Sequence, residues 1–200
     1  MSSPARSAGE VGRSATARQV LTADDLSRAV TRLAHELLEA NKGPQGLVLL
    51  GIRTRGVPLA WRINEAIRQI EGAEVPTGAV DVTLYRDDLQ HRGPLPLGQT
   101  EFPCPVDGRV AVLVDDVLYT GRTIRAAMEA VLEFGRPSAI RLVALVDRGH
   151  RELPIRADHV GKNLPTATDQ RVSVTLAEVD GADGVFISTN SRGGDSEGGG

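Results

Sequence analysis

Aromatic side chains make up only 3% of these 200 residues: three Phe, two Tyr and one Trp. So sparse a set cannot supply the rows of stacking platforms on which unpaired bases are usually held. Any nucleic-acid recognition therefore has to use arginine planes, polar contacts and shape. Cysteine is nearly absent as well. Cys104 stands alone, which excludes an internal disulfide and a cysteine-rich metal site and fits a passive loop thiol. Nor is there an excess of positive charge, since the formal net charge is -3, so a polyanionic partner would have to meet a local patch. No apolar run approaches the length of a membrane span, and the opening stretch Met1–Arg18 is small, polar and basic without the apolar core of a signal. The expected setting is the cytosol, away from any membrane. No internal repeat of fixed period is visible.

What is present is enough for one ordinary core: 40% hydrophobic and 24% charged residues over this length predict a single α/β domain. Thr22 and Asp25 have capping-box spacing, and Leu26, Ala29, Val30, Leu33, Leu37 and Leu38 follow with helical period, with a stop at Asn41–Gly43. Gly46–Ile52 reads as a buried strand that breaks at Arg53-Thr54-Arg55-Gly56 before a helix from about Val57 to Ile70. Ala79–Tyr85 reads as another strand, followed by an aperiodic polar stretch, Arg86–Asp107, of the length that is usually functional or mobile. Ile140–Val146 is a further apolar strand. Strands separated by helices predict a mostly parallel twisted sheet flanked by helices, with the loops after the strands gathered at one edge. The residues before 21 and from 189 onward are expected to be disordered, the last ten being rich in Gly and Ser.

The most informative run is 112–123, Val-Leu-Val-Asp-Asp-Val-Leu-Tyr-Thr-Gly-Arg-Thr. An apolar strand, Arg109–Val114, stops at two carboxylates and a helix, Thr123–Phe134, begins after a small-residue turn. A helix N-terminus with uncommitted backbone N–H groups, two hydroxyls and the positive dipole end can hold a phosphate. Carboxylates at the carboxyl end of a parallel strand can accept hydrogen bonds from sugar hydroxyls. A ribose diol and a phosphate are thereby addressed together.

This run resembles the phosphoribosyl pyrophosphate signature of type I phosphoribosyltransferases. Together with Gly51-Ile52-Arg53-Thr54-Arg55-Gly56, Asp81–Asp88 and Asp147–Asp158 it is similar to the PyrR family, pyrimidine operon regulators that are also uracil phosphoribosyltransferases. The resemblance runs from about Thr22 to Asp180. It implies the type I phosphoribosyltransferase fold over 21–188, with a small hood at about 147–166. The implied reaction is uracil plus 5-phosphoribosyl 1-pyrophosphate (PRPP) giving UMP and diphosphate, with Mg2+ carried by the substrate diphosphate. Asp115 and Asp116 would take the ribose hydroxyls, and Val117, Leu118, Tyr119, Thr120, Gly121, Arg122 and Thr123 would surround the 5-phosphate. Arg53, Thr54, Arg55 and Gly56 suit a diphosphate, Arg86 lies in a lid over it, and backbone groups of Val160 and Gly161 would read uracil. By the same resemblance Thr31, His35, Arg151, Arg156 and Lys162 form a messenger-RNA contact set, which Arg32 joins from the outer face of the same helix as Thr31 and His35, with UMP or UTP favouring RNA binding, in a homodimer or larger assembly. Control could act on transcription termination or on translation. Two other function classes share part of the pattern: a plain salvage transferase for uracil or a 6-oxopurine, and a regulator that keeps the site only as a nucleotide sensor.

Overall fold

The computed structural model describes residues 17–82 and 100–189. The lid candidate Arg86 and both chain ends lie outside the described residues. Helix α1 (Ala23–Asn41) starts where the capping box predicts. The Asp25 amide donates to Thr22 Oγ1 at 3.2 Å; the Thr22 amide and hydroxyl donate to Asp25 Oδ2 at 3.0 and 2.7 Å, and these two bonds to its carboxylate hold the Asp25 carboxyl down at about 2. All six stripe residues named from the period are buried. The helix closes at Lys42 in the left-handed conformation.

The main sheet has the order β3-β2-β4-β5-β6 and is parallel throughout. Its strands are β2 (Leu47–Ile52), β3 (Thr77–Val80), β4 (Val110–Leu118), β5 (Ala139–Asp147) and β6 (His159–Asn163). Every residue of β2 is buried, as a strand covered on both faces requires. One cover is α1 with α2 (Gly56–Glu71), packed on Leu49, Val112 and Val114; the other is α3 (Arg122–Phe134), packed on Leu50, Leu113 and Ala144. Alternate residues of each strand thus serve opposite covers.

Four features differ from the sequence expectation. Strand β4 does not end at Val114 but continues through the two aspartates to Leu118, because β5 goes on pairing with it (Asp115↔Ala144, Val117↔Val146, Leu118↔Asp147). On its other side the ladder with β2 ends at Gly51↔Val114. Beyond that point β4 has a neighbour on one side only, and the sheet opens just where the carboxylates begin. Strand β3 covers Thr77–Val80 rather than beginning at Ala79, with Asp81 and Val82 past its end. Part of the segment expected to be a hood, His159–Asn163, is the edge strand of the main sheet; it is short and mostly polar, so it lacks the apolar run that marked its neighbours. The separate layer is instead an antiparallel sheet of order β1-β8-β7, formed by β1 (Arg18–Leu21), β7 (Gln170–Thr175) and β8 (Gly184–Thr189), with the short helix α4 (Ala177–Asp180) between β7 and β8. β1 therefore begins within the stretch expected to be a disordered extension, since pairing to β8 can order a strand too short to signal itself.

Candidate active site

Three loops converge at the opening beside β4. The first, Arg53–Arg55, joins β2 to α2 and is seated tightly. A Cβ on Gly56 would stand 2.2 Å from the Val114 carbonyl oxygen, and one on Gly51 would stand 2.4 Å from the Val57 Cα. The Arg53 amide donates to the Val80 carbonyl at 3.0 Å, and the Arg53 guanidinium meets Glu101 at 3.3 Å. The peptide between Arg53 and Thr54 is cis. Arg55 is the N-cap of α2 and offers it no side-chain hydrogen bond, so the first turn of that helix points at the opening without an internal anion.

The second loop carries the signature. Asp115 is 7% exposed, and its Oδ1 accepts the Asp116 amide at 3.0 Å; Asp116 Oδ1 in turn accepts the Val117 amide at 2.9 Å. The two carboxylates interact with each other at the end of β4. Asp115 lines a cavity of about 420 Å³ whose wall is the turn from Val117 to Ile124, with Glu152 opposite. Asp116 lies within the field of Arg55, and burial pushes its carboxyl up from the ordinary range. Gly121, with φ of 94°, is the N-cap of α3 and leaves its start without a side-chain cap. Together these supply what a sugar phosphate needs: amides and hydroxyls at a helix start, and carboxylates a few ångströms along the same chain.

The third loop, Asp147–Ile155, is the floor under the Thr120–Thr123 turn. The amides of Glu152 and Leu153 donate to the Thr120 carbonyl at 3.0 and 3.1 Å, and Arg122 Nε donates to Glu152 Oε2 at 2.7 Å. Arg151 is directed inward, donating to the carbonyls of Tyr119 at 2.7 Å and Ile155 at 2.9 Å and pairing with Asp147. Arg148, 7% exposed, lies 4.1 Å from the Tyr119 ring centroid and donates to the Gln170 carbonyl at 2.7 Å. These bonds fix the turn from below.

The residues expected to touch RNA do not form one patch. Thr31 and His35 are exposed on α1. Arg156 is exposed across the sheet, beside Ile124 and Met128 of α3, and Lys162 is exposed on β6. Arg151 is bonded to the Tyr119 carbonyl beside the Thr120–Thr123 turn, as described. Arg32 donates to the carbonyls of Val160 at 3.2 Å and Gly161 at 2.5 Å and pairs with Glu36. The carbonyls of Val160 and Gly161, among the backbone groups expected near the base, therefore bind a cation of α1, and a Cβ at Gly161 would stand 2.5 Å from the Leu145 carbonyl oxygen. Sequence reasoning missed Asp180, whose carboxylate takes both Nε (2.9 Å) and Nη2 (2.7 Å) of Arg55. The two residues are far apart in the chain, and only the tertiary fold joins them.

The phosphoribosyl transferase domain family matches residues 16–177. The bifunctional protein PyrR of a Roseiflexus species is 59% identical over 172 residues, 85% of this chain and 94% of the relative. The bifunctional protein PyrR of Clostridioides difficile is 55% identical over 171 residues, 84% of this chain and 96% of the relative. Among solved structures, a hypoxanthine phosphoribosyltransferase from Staphylococcus aureus matches with a TM-score of 0.58 at 21% identity, covering 75% of this chain and 79% of that one. One from Trypanosoma cruzi, in a ternary substrates complex, matches with a TM-score of 0.62 at 20% identity, covering 74% and 82%. At such identity the structural likeness speaks for the fold. Relatives that share more than half their residues with it over nearly their whole length decide descent: the chain belongs to the bifunctional PyrR family within the phosphoribosyltransferases.

Proposed function

We propose that the chain transfers the phosphoribosyl group of PRPP to uracil, releasing diphosphate and UMP, and that it binds the messenger RNA of pyrimidine genes in response to uridine nucleotides. The observation that supports the transfer reading best is the opening beside β4, where the acidic pair lies beyond the last rung of β2 and runs into the uncapped start of α3. Cleavage at the anomeric carbon passes through an oxocarbenium-like state, so no protein nucleophile is required. The work of the protein is to hold both reactants in line and to stabilise charge on the departing diphosphate.

In this reading the amides and hydroxyls from Thr120 to Thr123 grip the 5-phosphate. Asp115 and Asp116 accept the ribose hydroxyls, and Arg53 and Arg55, at the start of α2, meet the diphosphate. Uracil lies toward β6 and is read by backbone groups there. Asp115 and Asp116 are the carboxylates that would hold Mg2+, which when bound would neutralise part of the diphosphate charge. Among the described residues no group of three or more His, Cys, Asp and Glu is placed to hold a metal alone. The chain works in the cytosol, and among the described residues no helix is long and apolar enough to cross a membrane.

Base choice is tested by diphosphate release on the purified chain. Uracil supports it, while hypoxanthine and orotate give no more than the no-base control, because a site built around hydrogen bonds to one edge pattern rejects bases that leave its groups unpaired. Turnover with hypoxanthine instead would make this a purine salvage enzyme.

For RNA, the exposed cations lie on both sides of the sheet, so a continuous surface requires at least two copies of the chain. Thr31, His35, Arg156 and Lys162 are the side chains left for it. A gel-shift titration with a pyrimidine leader RNA is expected to show roughly tenfold tighter binding with UMP present, the size of an ordinary coupling between two sites. Equal affinities with and without UMP would leave an enzyme with no sensor.

A further inference from the structure

The connection from β7 to β8 presents three carboxylates, Glu178, Asp180 and Asp183, to which neither activity above gives a task. Two arginines on the far side of the opening take all three. Arg62, on α2, donates Nε and Nη2 to Glu178 at 2.7 and 2.6 Å, and Nη1 and Nη2 to Asp183 at 2.8 and 2.8 Å. Such a fourfold grip fastens α4 to α2. Asp180, at the end of α4, is thereby set against Arg55, and its Oδ2 also accepts the Leu176 amide at 2.9 Å. Its carboxylate is thus held by the Leu176 amide, on a short helix that Arg62 fastens, apart from its bonds to Arg55.

We infer that Asp180 is a positioning residue for phosphoribosyl transfer, orienting the Arg55 guanidinium so that the edge it leaves uncovered receives the diphosphate of the substrate. This rests on the transfer reading proposed above. A guanidinium is a planar fork of five N–H donors. Asp180 occupies the side formed by Nε and Nη2, so Nη1 and the outer edge keep their donors. The charge of Asp116 also acts on Arg55, so the guanidinium is under the influence of the acidic end of β4 as well as of α4. An arginine already oriented loses less side-chain entropy when a diphosphate arrives. Because Asp180 is fixed by the Leu176 amide and by the Arg62 grip on its own short helix, it stays in place when substrate binds and does not act as a mobile competitor.

Steady-state kinetics on the full chain test this with Asp180→Asn, Arg55→Ala and the double variant. Asp180→Asn is expected to raise KM for PRPP roughly tenfold with kcat within about threefold of wild type, and KM for uracil unchanged. Asp180→Glu, which keeps the charge, recovers part of the loss and serves as the second variant. In the Arg55→Ala background, Asp180→Asn should add nothing, since its effect passes through that arginine. Three results would overturn the inference: a fall in KM for PRPP, an equal loss in both backgrounds, or a lowered melting temperature with KM unchanged. Calorimetric titration of inorganic diphosphate with Mg2+ makes the same comparison without turnover. Weaker binding by Asp180→Asn in a chain that does not use uracil would uphold the inference and refute the proposed reaction.

Discussion

Replacing Asp116 by asparagine is expected to lower uracil-dependent diphosphate release about 100-fold, a loss of roughly 2.7 kcal/mol of transition-state stabilisation. Hydrogen bonds to sugar hydroxyls strengthen as positive charge grows on the ring, and a carboxylate gains from that charge as a neutral amide cannot. The size and shape of the side chain are retained, so the loss reports charge. Stability moves the other way. Burial raises the Asp116 carboxyl, so the folded chain binds this proton more tightly than the unfolded chain does. The stability tied to it is present at low pH and declines as pH rises through the raised value. At neutral pH the ionised group therefore costs the fold something, and Asp116→Asn should melt no lower than wild type. Wild-type activity should fall off on the acid side at a pH above the ordinary aspartate range, and the variant should lack that limb. Undiminished turnover, or a loss matched by a fall in melting temperature, would count against Asp116 as a substrate contact.

Gly56→Ala should be nearly as damaging for a different reason. In most helices an alanine in place of glycine stabilises by about 1 kcal/mol. Here the added methyl would stand 2.2 Å from the Val114 carbonyl oxygen, a backbone atom at the last rung of the β2–β4 ladder. Neither side can yield without moving the Arg53–Arg55 loop or the end of β4, and both belong to the site. Overpacking of this kind costs roughly 2 kcal/mol, equivalent to a melting temperature about 4–8 °C lower for a chain of this size. The displaced arginines should raise KM for PRPP at least about tenfold. Calorimetric melting and PRPP kinetics on the same preparation check both parts; a variant as stable as wild type with unchanged KM would show that the loop does not rest on β4.

The elements that could be read from the sequence are those whose local pattern agrees with the fold. Helix α1 declared itself through the Thr22–Asp25 box and the stripe from Leu26 to Leu38, and β2 through an unbroken apolar run. The signature turn was legible because strand, acids and helix start are contiguous in the chain. Illegible were the pieces whose order comes from partners. β6 is polar because it is an edge, and β1 is four residues that gain structure from β8. Arg32 and Arg151 have the composition of an RNA contact, yet their guanidinium groups are spent on carbonyls from distant segments. No spacing rule foretells that, just as none couples Arg55 to Asp180 across 125 positions.

The pairing of β1 with β8 bears on how the chain can be shortened. A truncation that starts at Ala23, where the first helix begins and the opening residues look dispensable, would strip β8 of one neighbour and bare a row of unmatched amides and carbonyls along Val185–Ile187. Such a border recruits strands from other molecules. Trimmed protein would then clump through an edge that the native chain covers with its own leading segment.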